Sequence, residues 1–185
     1  KTDFVERAAA LKVGDPLDAD TDVGAIVSKQ HFEKIMSYID LAKTEGGTIL
    51  TGGSVPGAIA TGDRCSNGYF IQPTIIEGLP YDCRTNQEEI FGPVVTIMPF
   101  DTEDEVLAYA NSVRYGLSAS LWTESLSRAH RVAANLESGF VWVNSWMLRD
   151  LRTLFGGYKD SGIGREGGFE TLRFFTEEKN VCIKL

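Results

Sequence analysis

The sequence has little cysteine and histidine, and neither residue type is clustered. Its three cysteines, Cys65, Cys83 and Cys182, are widely spaced, and only two histidines occur in 185 residues. Because there is no Cys-x-x-Cys pair, the pattern predicts neither a disulfide framework nor a zinc site. We therefore expect no bound metal and a reducing, cytoplasmic setting.

Long hydrophobic runs and an excess of positive charge are also missing. The longest apolar stretches, such as 94–100, are far shorter than the roughly 20 residues that a membrane helix needs. Lys and Arg number 18 against 26 Asp and Glu, which gives a net charge of −8. This charge argues against nucleic acid and against an anionic membrane surface as partners. A small molecule or another protein is the expected partner.

The start of the chain lacks an initiator Met and a signal peptide. It opens at Lys1 in what reads as the middle of a helix. We therefore expect a piece of a larger protein.

What is present is the composition of an ordinary globular protein, 43% hydrophobic and 24% charged. Helical patterns and strand patterns alternate, which predicts an α/β fold with a largely parallel sheet flanked by helices. Helices are expected at 3–12, 28–46, 102–111 and 125–136, and strands at 48–51, 69–75, 94–100, 117–122, 139–144 and 180–185. The terminal strand is expected to pair with another chain.

An irregular segment, 145–168, follows the last internal strand. It contains six glycines with aromatic and charged residues, and long loops in compact domains tend to be functional. Residues 162–167 fit the letters G-x-G-x-x-G. A dinucleotide fingerprint must leave a hydrophobic strand and open a helix, and residues 155–161 do not form such a strand, so we interpret this match as a decoy.

The run 87–94, Gln-Glu-Glu-Ile-Phe-Gly-Pro-Val, is more informative. Acids at the entrance of a strand accept hydrogen bonds from sugar hydroxyls, and a neighbouring aromatic ring packs on a planar heterocycle. The alternative, which composition alone favours, is a solvated charge pair beside a core Phe.

Five motifs together resemble the aldehyde dehydrogenase superfamily in order and spacing. They are Glu89-Ile90-Phe91-Gly92-Pro93, Tyr115-Gly116-Leu117, Val141-Trp142-Val143-Asn144, Phe155-Gly156-Gly157-Tyr158-Lys159 and Ser161-Gly162-Ile163-Gly164-Arg165-Glu166. The resemblance covers the whole chain. It implies the catalytic-domain fold of that family, a small-molecule aldehyde as substrate, and NAD as cofactor, with NADP left open.

The resemblance also implies roles for individual residues. Glu89 corresponds to the acid that binds the nicotinamide-ribose hydroxyls, and Phe91 to the aromatic beside the nicotinamide. Phe155 corresponds to a residue that lines the aldehyde tunnel. Leu154 stands where the family usually has Pro, so the backbone before Phe155 is expected to be less rigid.

A finer resemblance lies in 144–153, which is similar to the enzymes that oxidise 2-aminomuconic and 2-hydroxymuconic semialdehydes. Their substrates carry carboxylate, which a guanidinium binds bidentately. Arg149 is the first candidate for that contact and Arg152 the second, with Trp146 in the same substrate loop. The alternative is that both arginines pair with Asp150 or lie in solvent.

In the family, the nucleophilic Cys, the general-base Glu and the NAD-binding domain lie N-terminal to the region that this chain resembles. The three cysteines here do not lie in the surroundings of an activated thiolate. We therefore expect 1–185 to be a single partial domain, the C-terminal part of the catalytic domain, and inactive alone.

Two alternatives to an enzyme fragment stay open. One is a truncated, non-catalytic subunit that joins full-length enzyme through the sheet edge and an oligomerisation segment, about 173–185. The resemblance implies a homo-oligomer, a dimer or tetramer, for the full-length protein. The other alternative is a structural or stored protein that reuses the fold.

Overall fold

The computed structural model describes residues 1–57 and 65–185 of the chain. These residues form two compact units, Lys1–Pro99 and Phe100–Leu185. The predicted single partial domain over 1–185 stays a prediction. Part of the loop expected at 52–67 lies outside the described residues.

The first unit contains three helices and one sheet. Its elements are α1 (Thr2–Ala9), α2 (Lys29–Thr44), β1 (Thr48–Thr51), β2 (Thr74–Glu77), α3 (Arg84–Gln87) and β3 (Val94–Ile97). The strand order is β1-β2-β3, with β1 antiparallel and β3 parallel to β2. The expected extended run 69–75 is regular strand only from Thr74, directly after Pro73, because Pro has no N–H to donate to a neighbouring strand.

Helix α2 forms as the sequence predicts. The Ser28 hydroxyl caps it by accepting a hydrogen bond from the His31 N–H. Ile35, Ile39 and Ala42 follow at helical spacing, and all three are fully buried. The helix ends at Thr44, two residues before Gly46, whose φ of 93° favours glycine.

The core of the first unit lies between α2 and the sheet. Ile35 and Ile39 pack with Ile71, and Ala42 packs with Ile76 and Leu79. Burial of one isoleucine side chain stabilises the fold by about 1.5–3 kcal/mol. These contacts fix α2 in the core. Side chains on the opposite face of the helix therefore project from a fixed backbone.

Helix α1 is shorter and less buried than expected. It ends at Ala9 rather than near residue 12, and no residue in it is buried. Phe4 remains largely exposed on the face predicted to point inward. The helix nevertheless contacts β1 and β2, and the Lys1 ammonium pairs with the Glu77 carboxylate at 2.9 Å.

The second unit contains four short strands and three helices. Its elements are α4 (Glu103–Asn111), β4 (Tyr115–Gly116), β5 (Ser118–Leu121), α5 (Leu126–Asn135), β6 (Phe140–Val143), β7 (Tyr158–Lys159) and α6 (Gly168–Phe174). Strands β5 and β6 are parallel, and β4 and β7 are antiparallel. Helices α4 and α5 form where the sequence predicts them, and the hydroxyls of Thr102 and Ser125 cap them.

The alternation of helices and strands confirms an α/β chain, but the sheet arrangement differs from the prediction. The strands of the described residues form three small sheets rather than one, and their pairings are two parallel and two antiparallel. The antiparallel pair of β4 and β7 arises because the irregular segment 145–157 turns the chain back on itself. Such reversals leave no hydrophobic periodicity for a sequence pattern to detect.

The strand predicted at the end of the chain was expected to pair with another chain, so it stays a prediction. Residues 180–185 form no strand, because a strand requires ladder hydrogen bonds and the described residues supply no neighbour for them. Val181, Ile183 and Leu185 are exposed. Helix α6 is an addition that the sequence analysis missed, since two glycines with positive φ, Gly167 and Gly168, stand at its start in place of a capping side chain.

Among the described residues, no helix combines the length and the apolar character that a membrane span requires.

Candidate functional site

The segment 88–91 connects α3 to β3 and carries both residues predicted to contact a cofactor. Glu89 is exposed, and its carboxylate makes no hydrogen bond or ion pair within residues 1–57 and 65–185. Phe91 is 75% exposed, so its ring is not the core Phe that composition alone favours. An unpaired carboxylate and an open aromatic face therefore lie two residues apart.

The polar face of α2 holds the backbone of this segment. The Lys34 ammonium donates to the Glu89 carbonyl at 2.8 Å, and His31 Nε2 lies 2.6 Å from the Phe91 carbonyl oxygen. Because a carbonyl oxygen only accepts, Nε2 of His31 carries the hydrogen. The rings of His31 and Phe91 also meet edge to face, with centroids 6.0 Å apart. Phe91 has a φ of 58°, in the left-handed region.

Glu88 differs from its neighbour Glu89 because it is fully engaged in structure. Its carboxylate accepts two hydrogen bonds from the Arg84 guanidinium, at 2.7 and 3.0 Å, and one from the Tyr38 hydroxyl. These donors, with Arg84 first, lower the pKa of Glu88 to about 2. The bond to Glu88 in turn raises the pKa of Tyr38. Glu88 anchors the segment and leaves Glu89 as the available acid.

Gly92 allows this segment to approach α2. A Cβ at position 92 would lie 2.6 Å from Cδ1 of the buried Ile35, closer than atoms pack. The glycine of the Glu-Ile-Phe-Gly-Pro motif is thus required by the contact with the helix core. The motif and α2 form one local structure.

In the second unit, glycines place Phe155. Gly139 stands at the entrance of β6, where a Cβ would lie 1.7 Å from the Gly156 carbonyl oxygen. Phe155 also exchanges two backbone hydrogen bonds of 2.8 Å with Glu166. These contacts fix the backbone at Phe155 and Gly156. Strand β7 within it pairs antiparallel with β4, so 162–167 does not belong to the parallel βαβ unit of a dinucleotide fingerprint.

A row of aromatic side chains runs from the substrate loop to Phe155. Ring centroids are 5.0 Å apart for Trp146 and Trp142, 4.4 Å for Trp142 and Phe140, and 5.8 Å for Phe140 and Phe155. The Trp142 indole N–H donates to the Leu148 carbonyl at 2.8 Å. The row gives the loop 145–154 an apolar support.

Arg149 completes this arrangement. Its guanidinium carbon lies 4.0 Å from the centre of the Phe155 ring, and its Nη2 donates to Glu166 Oε1 at 2.6 Å. The Arg149 side chain is 28% exposed. The structure therefore brings three of the predicted substrate residues, Trp146, Arg149 and Phe155, into one connected group.

Arg152 does not join that group. Its side chain is 89% exposed and its guanidinium pairs with the Asp150 carboxylate at 2.5 Å. The alternative that both arginines pair with Asp150 is therefore right for Arg152 and wrong for Arg149, whose partner is Glu166.

The environment of Cys83 does not favour an activated thiolate. Burial raises the pKa of the Cys83 thiol, and the nearby Glu45 carboxylate raises it further. Nowhere in residues 1–57 and 65–185 do three or more His, Cys, Asp or Glu side chains gather as ligands for a metal ion.

Sequence reasoning missed the partners of the predicted residues. His31, Lys34 and Tyr38 were interpreted only as part of an amphipathic helix, although their spacing places them on one face. Glu166 was assigned to a motif but not paired with Arg149. The helical spacing was a usable signal for the first set, whereas the second contact depends on an irregular backbone.

Comparison with known proteins gives a consistent result. The family model described as the aldehyde dehydrogenase family matches residues 1–181. A 2-aminomuconic 6-semialdehyde dehydrogenase from Pseudomonas sp. is 51% identical over 98% of this chain and 36% of its own length. A 2-hydroxymuconic semialdehyde dehydrogenase from Pseudomonas sp. strain CF600 is 52% identical over 99% of this chain and 38% of its own length.

Solved structures agree. A crystal structure titled as a putative aldehyde dehydrogenase from Burkholderia cenocepacia has a TM-score of 0.89 and 44% identity, and it covers 95% of this chain and 35% of its own. Betaine aldehyde dehydrogenase from Staphylococcus aureus in complex with NAD+ has a TM-score of 0.87 and 41% identity, and it covers 94% of this chain and 34% of its own. The chain thus spans little more than a third of the length of the curated relatives described above.

The anchoring of Glu88 predicts a specific pH dependence of stability. Its pKa falls from 4.5 to about 2 on folding, so the ionised carboxylate stabilises the folded chain above pH 4.5, and this contribution is lost as the pH falls toward about 2. We expect Glu88→Gln to flatten the loss of stability in that window, measured by urea unfolding. Glu33→Gln, an exposed acid on α2, is the control. An identical pH profile for wild type and Glu88→Gln would contradict the assignment.

Proposed function

The chain belongs to the aldehyde dehydrogenase family, and from this premise we propose that it is part of an NAD-dependent enzyme that oxidises a carboxylate-bearing semialdehyde to the acid. The chain is the C-terminal part of the catalytic domain of that enzyme. It contributes the contact to the cofactor ribose and one wall of the substrate tunnel. The single observation that carries the substrate class is the placement of Arg149 on Phe155.

The first unit fits a nicotinamide cofactor. Glu89 offers a carboxylate with no partner among the described residues, and a carboxylate accepts hydrogen bonds from two adjacent ribose hydroxyls. Phe91 offers an exposed ring for a planar heterocycle. When bound, NAD supplies the hydride acceptor for aldehyde oxidation. The role of this chain is to orient the cofactor, with Glu88 and α2 holding the segment in place.

The second unit fits an aldehyde that carries a carboxylate. The contact with Glu166 uses Nη2 of Arg149, whereas a guanidinium has five N–H donors. The remaining donors are available to a substrate carboxylate, while the Phe155 ring holds the guanidinium plane. Relatives named for 2-aminomuconic and 2-hydroxymuconic semialdehydes support this substrate class.

Loss of the ribose contact is expected to weaken cofactor binding. Glu89→Gln removes the charge and one of the two acceptor oxygens. The loss of one hydrogen bond to a charged group costs about 1.5–3 kcal/mol, so we expect NAD affinity to fall roughly tenfold to a hundredfold. The measurement is calorimetric titration of NAD into the complete protein that contains the chain. Glu33→Gln is the matched control. Unchanged affinity in Glu89→Gln would rule out the proposed cofactor role.

The role of Arg149 is tested by substrate charge. Arg149→Lys keeps the positive charge but loses the planar fork, so we expect KM for a carboxylate-bearing semialdehyde to rise at least about tenfold. KM for an uncharged aldehyde of similar size is expected to stay the same. Arg152→Lys is the control and is expected to change neither value. If both substrates respond equally to Arg149→Lys, Arg149 does not read the carboxylate.

The chain alone is proposed to be inactive, because the family's nucleophilic Cys and general-base Glu lie N-terminal to the region that it resembles. We further propose that it joins full-length enzyme as part of a homo-oligomer, since the apolar residues near its end are exposed. Purified chain with NAD and a semialdehyde is expected to give no reduced cofactor by absorbance, and tagged full-length homologue is expected to retain the chain on a column. Turnover by the chain contradicts the first expectation, and separate elution contradicts the second.

A further inference from the structure

The backbone at Phe91 needs an external support. Its φ of 58° lies in a region that residues with a Cβ rarely adopt. Such a conformation persists when the surrounding structure determines it. The neighbouring Gly92 does not provide that support, because its own contact is apolar, with Ile35.

The His31 side chain contacts both the carbonyl group and the ring of Phe91. Nε2 of His31 donates to the Phe91 carbonyl at 2.6 Å, and the two rings meet edge to face. Lys34 holds the Glu89 carbonyl and Tyr38 holds the Glu88 carboxylate. His31 thus secures the end of the segment that the other two side chains do not reach.

The base of His31 is rigid, which makes the contact directional. His31 is in the first turn of α2, where its own N–H bonds to the Ser28 cap. Four residues further on, Ile35 is fully buried in the core. The imidazole therefore projects from a fixed backbone, and movement of Phe91 breaks the hydrogen bond rather than dragging the helix along.

We propose that His31 is a positioning residue that fixes the Phe91 carbonyl through Nε2 and so presents the Phe91 ring and the Glu89 carboxylate to the nicotinamide nucleotide. This proposal rests on the cofactor role proposed for Glu89 and Phe91. His31 does not itself need to contact the cofactor. Its effect passes through the conformation of the segment 88–91.

Two substitutions separate the hydrogen bond from ring packing. His31→Phe keeps an aromatic ring but loses the donor, whereas His31→Gln loses the ring but keeps an amide N–H that reaches about as far as Nε2. His130→Phe is the matched control, since His130 is an exposed histidine on α5. The variants are made in the complete protein that contains the chain.

Two readouts are needed, one without cofactor and one with NAD. Hydrogen exchange of the peptide covering 88–94, measured without cofactor, is expected to accelerate about fivefold in His31→Phe, the change that loss of one neutral hydrogen bond produces. NAD affinity is expected to fall by about the same factor. His31→Gln is expected to restore both values to within about twofold of wild type, and His130→Phe to change neither.

The outcomes distinguish this proposal from the cofactor role itself. Unchanged exchange in His31→Phe, or equal acceleration in His31→Gln and His31→Phe, overturns the positioning role of the Nε2 donor. Accelerated exchange with unchanged NAD affinity in His31→Phe overturns the link from His31 to the cofactor. Unchanged NAD affinity in Glu89→Gln instead overturns the proposed function, and the exchange data still decide whether His31 holds Phe91.

Discussion

The burial of one face of α2 against the central strand supports the structure of the first unit. Ile35 and Ile39 are removed from solvent completely, and this apolar contact is the main favourable term that opposes the entropy cost of ordering the helix. The same helix turns its polar face toward the segment 88–91. Because one face is immobilised in the core, the other can hold a loop whose backbone has little regular hydrogen bonding of its own.

The second unit also holds an irregular segment in place, but without a long helix. Its irregular segment is fixed by close backbone approach at Gly139 and Gly156 and by the paired backbone of Phe155 and Glu166. The aromatic row and the guanidinium of Arg149 then pack on that frame. The glycines allow backbone segments to approach closely, and the aromatic side chains form the apolar surface on which Arg149 packs.

Sequence patterns predicted the parts of the fold that rest on local signals. The helices predicted at 28–46, 102–111 and 125–136 follow from residue spacing, and the structure confirms them close to those bounds. Helix α6 was missed because Gly167 and Gly168 leave no propensity signal at its start. The final strand stays a prediction, because its pairing depends on a neighbouring chain that a single sequence does not specify.

The candidate site shows the same division. Glu89 and Phe91 are exposed, and Trp146, Arg149 and Phe155 form one group. The binding roles that the motifs indicate for these residues stay predictions. The ion pair between Arg149 and Glu166 spans 17 residues of irregular chain, and no periodic pattern encodes such a contact. The same holds for the bond of His31 to Phe91, which joins positions 60 residues apart.

Glu88 is bound by other side chains whereas Glu89 is exposed, and this difference constrains the length of the chain between α3 and β3. The two residues are chemically identical, and only their position relative to Arg84 and Tyr38 makes one a fixed anchor and the other an available acceptor. Deletion of one residue before Glu88 would place Glu89 at the anchor position and leave no carboxylate at the exposed position. An insertion there would move both carboxylates away from Arg84 and Tyr38, so the length of this connection is constrained as well as its residue types.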